Sequence, residues 1–479
     1  MTGPAGASQC AEGPSWAAAA VAPDVLTARG RIGECLDRRV SCGRGGTNLC
    51  GASFNLGSFR AGPRFRAPAG RDVSLNEPRI PRVVIALFVV ALVAGFAQFG
   101  AVASLEDVAR HFGHPADQQS LQSVVGLSGS QLGVGLAVLR LASLGALPLA
   151  SLADQWGRTT VLRRTLYAGL VITACASLSP SYWIFVACFA LARPVLSTTS
   201  AIVQVITVEL STTTLRIERL VIVSAGAGLG AGLAAIVHGF VRGPNSFRWL
   251  FALAIVPLAL VAPLVRRIPE SVTRRESTAR LGSVPRSIRT RLAIVGLVVF
   301  VVGVIAGPAS GFTFVYGEGV LKIPPNVVAV VVTLSAVTGL IGLWLSRLLD
   351  RVIGRRRTIF LGVVITAVAA TIAYGGGEAA FVAGYMFGVL AGGLLAPAVA
   401  ALSTELFPHT HRATAAGWVV VAGVFGAVVG LIVFGLVSDV VHVTGAGSLR
   451  VPALVTFLPL VPSVALVWRL PESSTMALA

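Results

Sequence analysis

Charged residues are scarce in this chain of 479 residues: Asp, Glu, Lys and Arg make up 12% of it, and lysine occurs once, as Lys322. The sequence contains no phosphate-binding loop of the form G-x-x-x-x-G-K-[ST] and no spacing typical of a metal site. No segment outside the apolar runs is large enough to hold a catalytic domain. The sequence therefore predicts that the protein is not an enzyme, and no cofactor or metal is expected.

Cysteine is also rare, with six residues in the chain. Four of them fall within the first 50 positions, namely Cys10, Cys35, Cys42 and Cys50. They form no C-x-x-C pair and have no histidine nearby, so unpaired thiols are favoured over zinc ligands. The surrounding residues 1–80 are rich in Gly, Ala, Pro, Ser and Arg and lack any helical or strand period, which predicts a disordered tail.

Apolar runs dominate the rest of the chain, which is 55% hydrophobic overall with a mean hydropathy of +0.82. A helix needs about 20 apolar residues to cross the ~30 Å hydrocarbon core of a bilayer. Twelve windows approach or exceed that length: 83–105, 127–150, 161–179, 182–206, 220–241, 248–266, 292–315, 326–346, 358–376, 380–404, 413–437 and 450–468. The pattern predicts an all-α membrane protein with twelve spans and the lipid bilayer as its surroundings.

The net charge is +18, and its placement is informative. Arginines crowd into the loops that follow the even-numbered spans, at Arg158, Arg163, Arg164, Arg216, Arg219, 266–291, 351–357 and Arg412. The positive-inside bias then predicts a multi-pass protein of the plasma membrane with both termini in the cytoplasm. Binding of nucleic acid or anionic lipid would not explain this alternation, so no nucleic-acid partner is expected.

The chain contains an internal repeat. Asp154 and Asp350, Glu209 and Glu405, and Arg216 and Arg412 are three pairs, and each pair is separated by 196 residues. Matched charges in fixed register predict two related six-helix bundles, the parallel-repeat plan of many transporters. We expect bundles at 81–266 and 292–470, a cytoplasmic linker at 267–291 and a short tail at 471–479.

Two loops carry related motifs. The loop after the second span reads ASLADQWGRTT and the loop after the eighth reads SRLLDRVIGRRR. Both are similar to G-x-L-a-D-r-x-G-r-r, a signature of the major facilitator superfamily, although Ala150 and Ser346 replace the first glycine. TELFPHTHRATAAGW resembles that family's segment between the tenth and eleventh helices. The sequence thus resembles a superfamily member over residues 80–475, and the resemblance implies the fold of two six-helix bundles. No subfamily is assigned.

The resemblance implies a cytoplasmic gate that forms when the transport site faces outward and is released when it faces inward. Its residues would be Asp154, Gly157, Arg158, Glu209, Arg216, Asp350, Gly354, Arg355, Arg356, Glu405 and Arg412. Physical chemistry supports the same role, because a carboxylate beside arginines at a helix end makes charge-assisted hydrogen bonds. The alternative is that each aspartate only caps a helix while each arginine only sets topology.

Polar residues inside the spans are the candidates for solute binding, because charge at membrane depth is costly and usually functional. Arg140 lies ~21 Å along its helix from Asp154, and Arg193 lies ~24 Å from Glu209, at a rise of ~1.5 Å per residue. Their repeat equivalents are Ala336 and Val389, so the two arginines are not part of the shared scaffold. They favour an anionic solute, and the alternative is an arginine that only fixes helix packing.

Weaker candidates complete the predicted site. Gln98, Gln204 and Tyr316 are assigned to solute binding, Glu318 to proton coupling, and His238 is a second titratable candidate. A solvated loop end is the competing interpretation for Glu318.

The predicted function is a secondary active transporter that moves a small polar or anionic solute by alternating access, coupled to protons and acting as a monomer. Two alternatives stay open. The first is a drug efflux antiporter of the same fold, although the Gly-Pro expected in its fifth helix is replaced by Gly230 and Ala231. The second is a sensor-like membrane protein that transports nothing. The solute, the direction and the coupling ion are not specified by the sequence.

Overall fold

The computed structural model describes residues 81–114, 121–212, 215–241, 245–266, 268, 286–407, 412–441, 445 and 447–470. The predicted tails 1–80 and 471–479, and most of the predicted linker 267–291, lie outside the described residues. The side chains of Asp154, Glu405 and Arg412 lie outside them as well, although these residues belong to described helices.

The described residues form helices and connecting turns without any strand, which confirms the predicted all-α class. The α-helices are Arg82–Ala103, Leu105–Phe112, Leu121–Val125, Gly129–Ala142, Ala146–Trp156, Arg158–Cys175, Tyr182–Glu209, Arg216–Phe240, Ser246–Ala252, Ile255–Val265, Arg286–Gly311, Pro325–Val352, Arg355–Ala373, Glu378–Glu405, Arg412–Val440 and Arg450–Phe457. Short 3₁₀ helices at Ser143–Gly145, Ala176–Leu178 and Val461–Arg469 continue the second, third and twelfth spans. A π-helix, Val315–Val320, follows the seventh span.

Eleven helices in the described part of the chain are long and apolar enough to cross a bilayer. They correspond to eleven of the twelve predicted windows, and the exception is the sixth. We keep the names first to twelfth span for these segments in chain order. Because consecutive spans run in opposite directions, the loops after even-numbered spans share one end of the molecule. We call that end the arginine-rich face and the other end the arginine-poor face.

The sixth span differs from its predicted window. Instead of one helix over 248–266, the structure has two helices, Ser246–Ala252 and Ile255–Val265, joined by a turn. Pro257 lies four residues after Leu253 and has no N–H to donate to its carbonyl, so the α-helical ladder is interrupted at this point. The backbone bridges the gap with shorter-range bonds, including Val256 N–H to Leu253 O at 3.1 Å.

The repeat is visible in backbone geometry. Gly157 and Gly354 occupy equivalent places between paired spans, and both have positive φ, 90° and 83°. Each precedes a helix that starts with arginine, at Arg158 and Arg355. A left-handed conformation at these two points explains why both motif copies have glycine there, because residues with a Cβ are disfavoured in it.

Glycines hold the helices of each bundle close together. In the first bundle, a Cβ on Gly95 would collide with the backbone at Ala227, and one on Gly230 with the backbone at Leu92. In the second bundle, Gly303 and Gly426 lie equally close to the backbone of the helix that each one faces. Small residues of this kind let helices pack by close contact in lipid, where the hydrophobic effect does not drive association.

Contacts between the bundles join the second span to the eleventh and the fifth span to the eighth. Close contacts between the bundles lie in the halves of these helices near the arginine-poor face. Gly133 packs on the backbone of Leu431, Gly232 on the side chain of Thr333, and Gly239 on the backbone of Asn326. The bundles therefore meet closely at that face.

The glycine packing predicts that the same substitution lowers stability at one position of the fifth span and not at another. Gly230→Val should force the first and fifth spans apart and lower the free energy of unfolding by roughly 1–3 kcal/mol, the usual range for overpacking. Gly228→Val is the matched control, because a Cβ at Gly228 has no atom within 4 Å to meet. The thermal midpoint and monodisperse yield of the purified variants measure the effect, and equal losses in both variants would contradict the packing argument.

Candidate functional site

A cavity of about 450 Å³ lies between the two bundles. Most of its wall comes from the seventh, ninth, tenth and eleventh spans of the second bundle. The first bundle contributes Arg140 and Ser143, at the point where the second span changes from an α-helix to a 3₁₀ turn. The second bundle therefore forms most of the wall, and the first bundle contributes an arginine to it.

The wall is formed mainly of small apolar groups, including Gly303, Gly307, Ala309, Gly384, Gly423 and Ala427. Hydroxyl groups interrupt it at Ser143, Ser310, Thr366 and Tyr385. Arg140 is the charged residue among the lining groups, and no carboxylate or carboxamide side chain lines the cavity. This lining can hold a small apolar body and offers a cation at one side.

Arg140 links the main cavity to a smaller cleft. Its guanidinium donates a hydrogen bond to Ser310 Oγ of the seventh span at 3.3 Å, so it reaches across to the second bundle. The cleft, about 30 Å³ in volume, is also lined by Gln98 and Arg193. The structure thus brings together three of the predicted solute-binding residues.

The Arg193 guanidinium donates to a backbone carbonyl of the first bundle. Its Nη1 donates to the carbonyl oxygen of Gln98 at 3.2 Å, and the Gln98 side chain donates to Ser200 Oγ at 3.0 Å. No carboxylate lines the cleft. Two guanidinium groups therefore share a confined space with neutral partners, which gives the region a positive potential that an anion would neutralise.

Two predicted solute-binding residues lie elsewhere. Gln204 is exposed on the fourth span and lines neither the cavity nor the cleft. Tyr316 is fully buried, with its ring centroid 4.8 Å from that of Tyr374 and 6.0 Å from that of Phe381. Tyr316 belongs to an aromatic core at the end of the seventh span, and the structure does not place it on a solute pathway.

Several of the predicted gate residues form contacts within their own bundle at the arginine-rich face. Arg158 pairs with Glu209 in the first bundle, and Arg355 Nε lies 3.6 Å from Asp350 Oδ2 in the second. Arg356 donates to the carbonyl oxygens of Trp468 and Leu470 at 3.2 and 2.7 Å and so ties the ninth span to the end of the twelfth. Arg216 is exposed at the start of the fifth span.

A second charged cluster lies at the arginine-poor face and connects the bundles. The buried imidazole of His238 lies 2.9 Å from Glu318 Oε2 of the second bundle and 3.3 Å from Asp107 Oδ2 of the first. Ser246 Oγ donates to Asp107 at 2.6 Å, and Glu106 pairs with Arg110. We call Glu106, Asp107, Arg110, His238 and Glu318 the outer cluster.

The outer cluster joins the two titratable candidates of the sequence, Glu318 and His238, to residues that sequence reasoning missed. Glu106 and Asp107 lie on the short helix Leu105–Phe112, in the interval between the predicted spans 83–105 and 127–150. The sequence signal that could have predicted this helix is its amphipathicity, because Leu105, Val108 and Ala109 form its buried apolar side. The pairing of Asp107 with His238, 131 positions away, has no local signature.

Burial changes the acidity of two carboxyl groups in the outer cluster. Desolvation raises the pKa of Glu106 to about 7, although Arg110 opposes the shift. Desolvation also raises the pKa of Glu318, with His238 acting in the opposite direction. These carboxyl groups therefore bind protons more readily than exposed glutamates do.

A sequence comparison identifies the family, and solved structures share the fold. The family model of the Major Facilitator Superfamily matches residues 87–351 and 319–477. A crystal structure of a variant of the nucleoside transporter NupG is similar with a TM-score of 0.65 and 12% identity, covering 81% of this chain and all of that one. No curated protein sequence matches the chain significantly.

Two further crystal structures are similar. One is a bacterial homologue of the human lysosomal transporter Spinster in an inward-facing, unoccupied conformation, with a TM-score of 0.64, 14% identity, and coverage of 84% of this chain and 98% of that one. The other is a D-xylose–proton symporter, with a TM-score of 0.62, 17% identity, and coverage of 82% and 98%. At these identities the likeness shows the fold alone.

The raised pKa of Glu106 predicts a pH-dependent stability with a definite sign. At pH values between the ordinary glutamate pKa of 4.5 and about 7, Glu106 keeps a proton in the folded state and releases it in the unfolded state. Rising pH therefore lowers the stability of the folded state. Glu106→Gln removes this contribution and should flatten the dependence of the thermal midpoint on pH between about 5 and 8. Glu378→Gln, at an exposed carboxylate, is the control. A Glu106→Gln slope equal to that of the wild type would refute the assignment.

Proposed function

This chain belongs to the Major Facilitator Superfamily and is a multi-pass membrane transporter, and on that premise we propose that it carries a small organic anion with an apolar body, coupled to protons, by alternating access. One chain contains the whole cavity, which is consistent with a functional monomer. The observation that carries the proposal is the pairing of Arg140 with a wall of small apolar groups around a cavity of about 450 Å³.

The charge of the solute follows from what lines the cavity and the cleft. Arg140 lines both, Arg193 lines the cleft, and the lining residues include no carboxylate that would neutralise them. A guanidinium can donate two parallel hydrogen bonds to a carboxylate, a geometry that an ammonium group cannot offer. A carboxylate or a similar monoanion is therefore the solute group that the site favours.

The body of the solute follows from the remaining wall. A sugar or nucleoside needs several polar partners for its hydroxyl groups, because burying them unpaired is costly. The cavity offers four hydroxyl side chains and no carboxamide, whereas its glycines and alanines leave space beside apolar carbon atoms. An aliphatic or aromatic body attached to one carboxylate matches this lining better than a polyhydroxylated solute does.

The distribution of contacts favours a conformation that is closed at the arginine-poor face. The outer cluster and the packing of Gly133 on Leu431 join the bundles there. The positive-inside bias assigns the arginine-rich face to the cytoplasm. On this assignment these contacts close the outer face, and transport requires them to break.

Proton coupling is assigned to the outer cluster. Glu318 and His238 belong to different bundles, so a proton on Glu318 weakens a contact that holds the bundles together. The raised pKa of Glu106 places a second proton-binding group beside them. Protonation from the outside would thus favour opening of the outer face and link the proton gradient to the conformational cycle.

Solute binding can be tested by thermal stabilisation of the purified protein, since a ligand of the native state raises its apparent stability with occupancy. The panel contains aliphatic and aromatic monocarboxylates, neutral sugars and lipophilic cations. Monocarboxylates should stabilise the wild type. Arg140→Gln and Arg193→Gln should each lower their affinity by roughly 10- to 100-fold, in line with ~1.5–3 kcal/mol for a hydrogen bond to a charged group. Arg450→Gln, at an exposed position outside both cavities, is the control.

Other outcomes of this panel point to the alternatives. Stabilisation by lipophilic cations that persists in both arginine variants would move the function to drug efflux. Binding of monocarboxylates without flux into liposomes would favour a sensor. Stabilisation by sugars alone would contradict the proposal.

If Glu318 couples transport to protons, its substitution should affect the response to a pH gradient and leave solute binding intact. In proteoliposomes with an imposed pH gradient, Glu318→Gln should keep monocarboxylate binding but lose most of the acceleration that the gradient gives to wild-type flux. The reason is that glutamine keeps the shape of the side chain and cannot take up the proton. Glu378→Gln, which removes an exposed carboxylate of the same bundle, should respond like the wild type. A full gradient response in Glu318→Gln would exclude Glu318 as the coupling group.

A further inference from the structure

The carboxylate of Asp439 binds the N-terminus of the second span. Asp439 lies at the end of the eleventh span in the second bundle, and its Oδ1 accepts a hydrogen bond from the Gly129 N–H at 2.6 Å. Its Oδ2 accepts one from the Ser130 N–H at 2.9 Å. Both donors belong to the first bundle. One side chain therefore makes two bonds across the interface at the arginine-poor face.

The donors are groups that a helix cannot satisfy by itself. The first N–H groups of a helix have no partner within it, and they lie at the positive end of the helix dipole. Ser128 caps the same helix from within its own chain segment, with its Oγ accepting from the Gln131 N–H at 3.2 Å. Asp439 adds a charged cap supplied by the other bundle, and such charge-assisted bonds are stronger than neutral ones.

The absence of a side chain at Gly129 lets Asp439 come close to the start of the second span. A Cβ on Gly129 would collide with the Ser438 side chain and crowd Asp439 itself, so glycine is required for the carboxylate to reach the helix end. Among the described residues Asp439 has no ion pair to a basic side chain. Its charge is balanced by the helix N-terminus, and that balance exists only while the two bundles are in contact at this face.

We propose that Asp439 is a latch that stabilises the conformation closed at the arginine-poor face. Separation of the bundles there breaks both hydrogen bonds at once, because donor and acceptor move with different bodies. The repeat position 196 residues earlier is Gly243, so the first bundle has no equivalent carboxylate and the latch acts from one side alone. This inference rests on the alternating-access part of the proposed function and is independent of the solute and of the coupling proton.

The test is the distance between the bundles measured by double electron–electron resonance in the full-length protein. Spin labels are placed at Leu178→Cys and Glu378→Cys in a background in which the six native cysteines are replaced. Leu178 and Glu378 are exposed near the arginine-poor face, one in each bundle, and neither touches the latch. Asp439→Asn keeps the size of the side chain and removes the charge. We expect it to raise the ratio of long to short distances about tenfold, equivalent to ~1.4 kcal/mol.

Two further variants separate a latch from a simple helix cap. Ser128→Ala removes the cap that the second span supplies to itself, and it should lower thermal stability without changing the distance ratio. Ser130→Pro removes one donor while Asp439 stays intact, and proline is tolerated in the first turn of a helix. It should shift the ratio in the same direction as Asp439→Asn, and it provides the answer if Asp439→Asn does not fold. Ser130→Ala is its control.

The outcomes distinguish the latch from the premise it rests on. If the wild type shows two distances and neither Asp439→Asn nor Ser130→Pro changes their ratio, the latch is wrong and alternating access stands. If Ser128→Ala shifts the ratio as much as Asp439→Asn, the carboxylate acts only as a helix cap and the latch is again wrong. If every variant and the wild type show a single distance with and without solute, the alternating-access premise fails and the latch with it.

Discussion

Hydrocarbon offers no hydrogen-bond partners, and most of this structure follows from that constraint. Backbone groups of the spans bond within their own helices. Buried hydroxyls return to the carbonyl one turn earlier, as Thr173 Oγ1 does to Gly169 O at 2.8 Å. The few strongly polar side chains have to find partners on other helices, so they lie at the interfaces between helices and between bundles. The candidate functional residues are therefore also residues that connect one helix to another.

The same constraint separates the rigid parts from the movable ones. Within a bundle, contacts are made through glycines and backbone, as at Gly95 and Gly230, and a small displacement there would create clashes. Between the bundles, the contacts include discrete polar pairs such as His238 with Glu318, which can break as units and be replaced by water. Two stiff bodies joined by separable polar contacts are what a rocking mechanism needs.

Much of the architecture could be predicted from the sequence, because spans and repeats are local or periodic signals. Eleven spans, the motif glycines Gly157 and Gly354, and the convergence of Arg140 with Arg193 agree with that expectation. The sequence did not show which face of a helix points inward, because a helix that is apolar all round carries little directional signal. The burial of Tyr316 in the aromatic core was not predicted for that reason. The outer cluster and the Asp439 contact join residues distant in sequence, and only the folded chain brings them together.

On the proposed function, the division of the cavity between the bundles implies that a solute is selected by two contacts, one to each bundle. One body supplies Arg140, and the other supplies most of the apolar wall. An inorganic anion satisfies only the arginine, and a neutral hydrocarbon satisfies only the wall, so neither pulls the two bodies toward each other. A molecule with both features is attached at both ends and favours closure around itself. Such a two-point requirement would keep abundant small ions from leaking through a carrier whose cavity is wide enough to admit them.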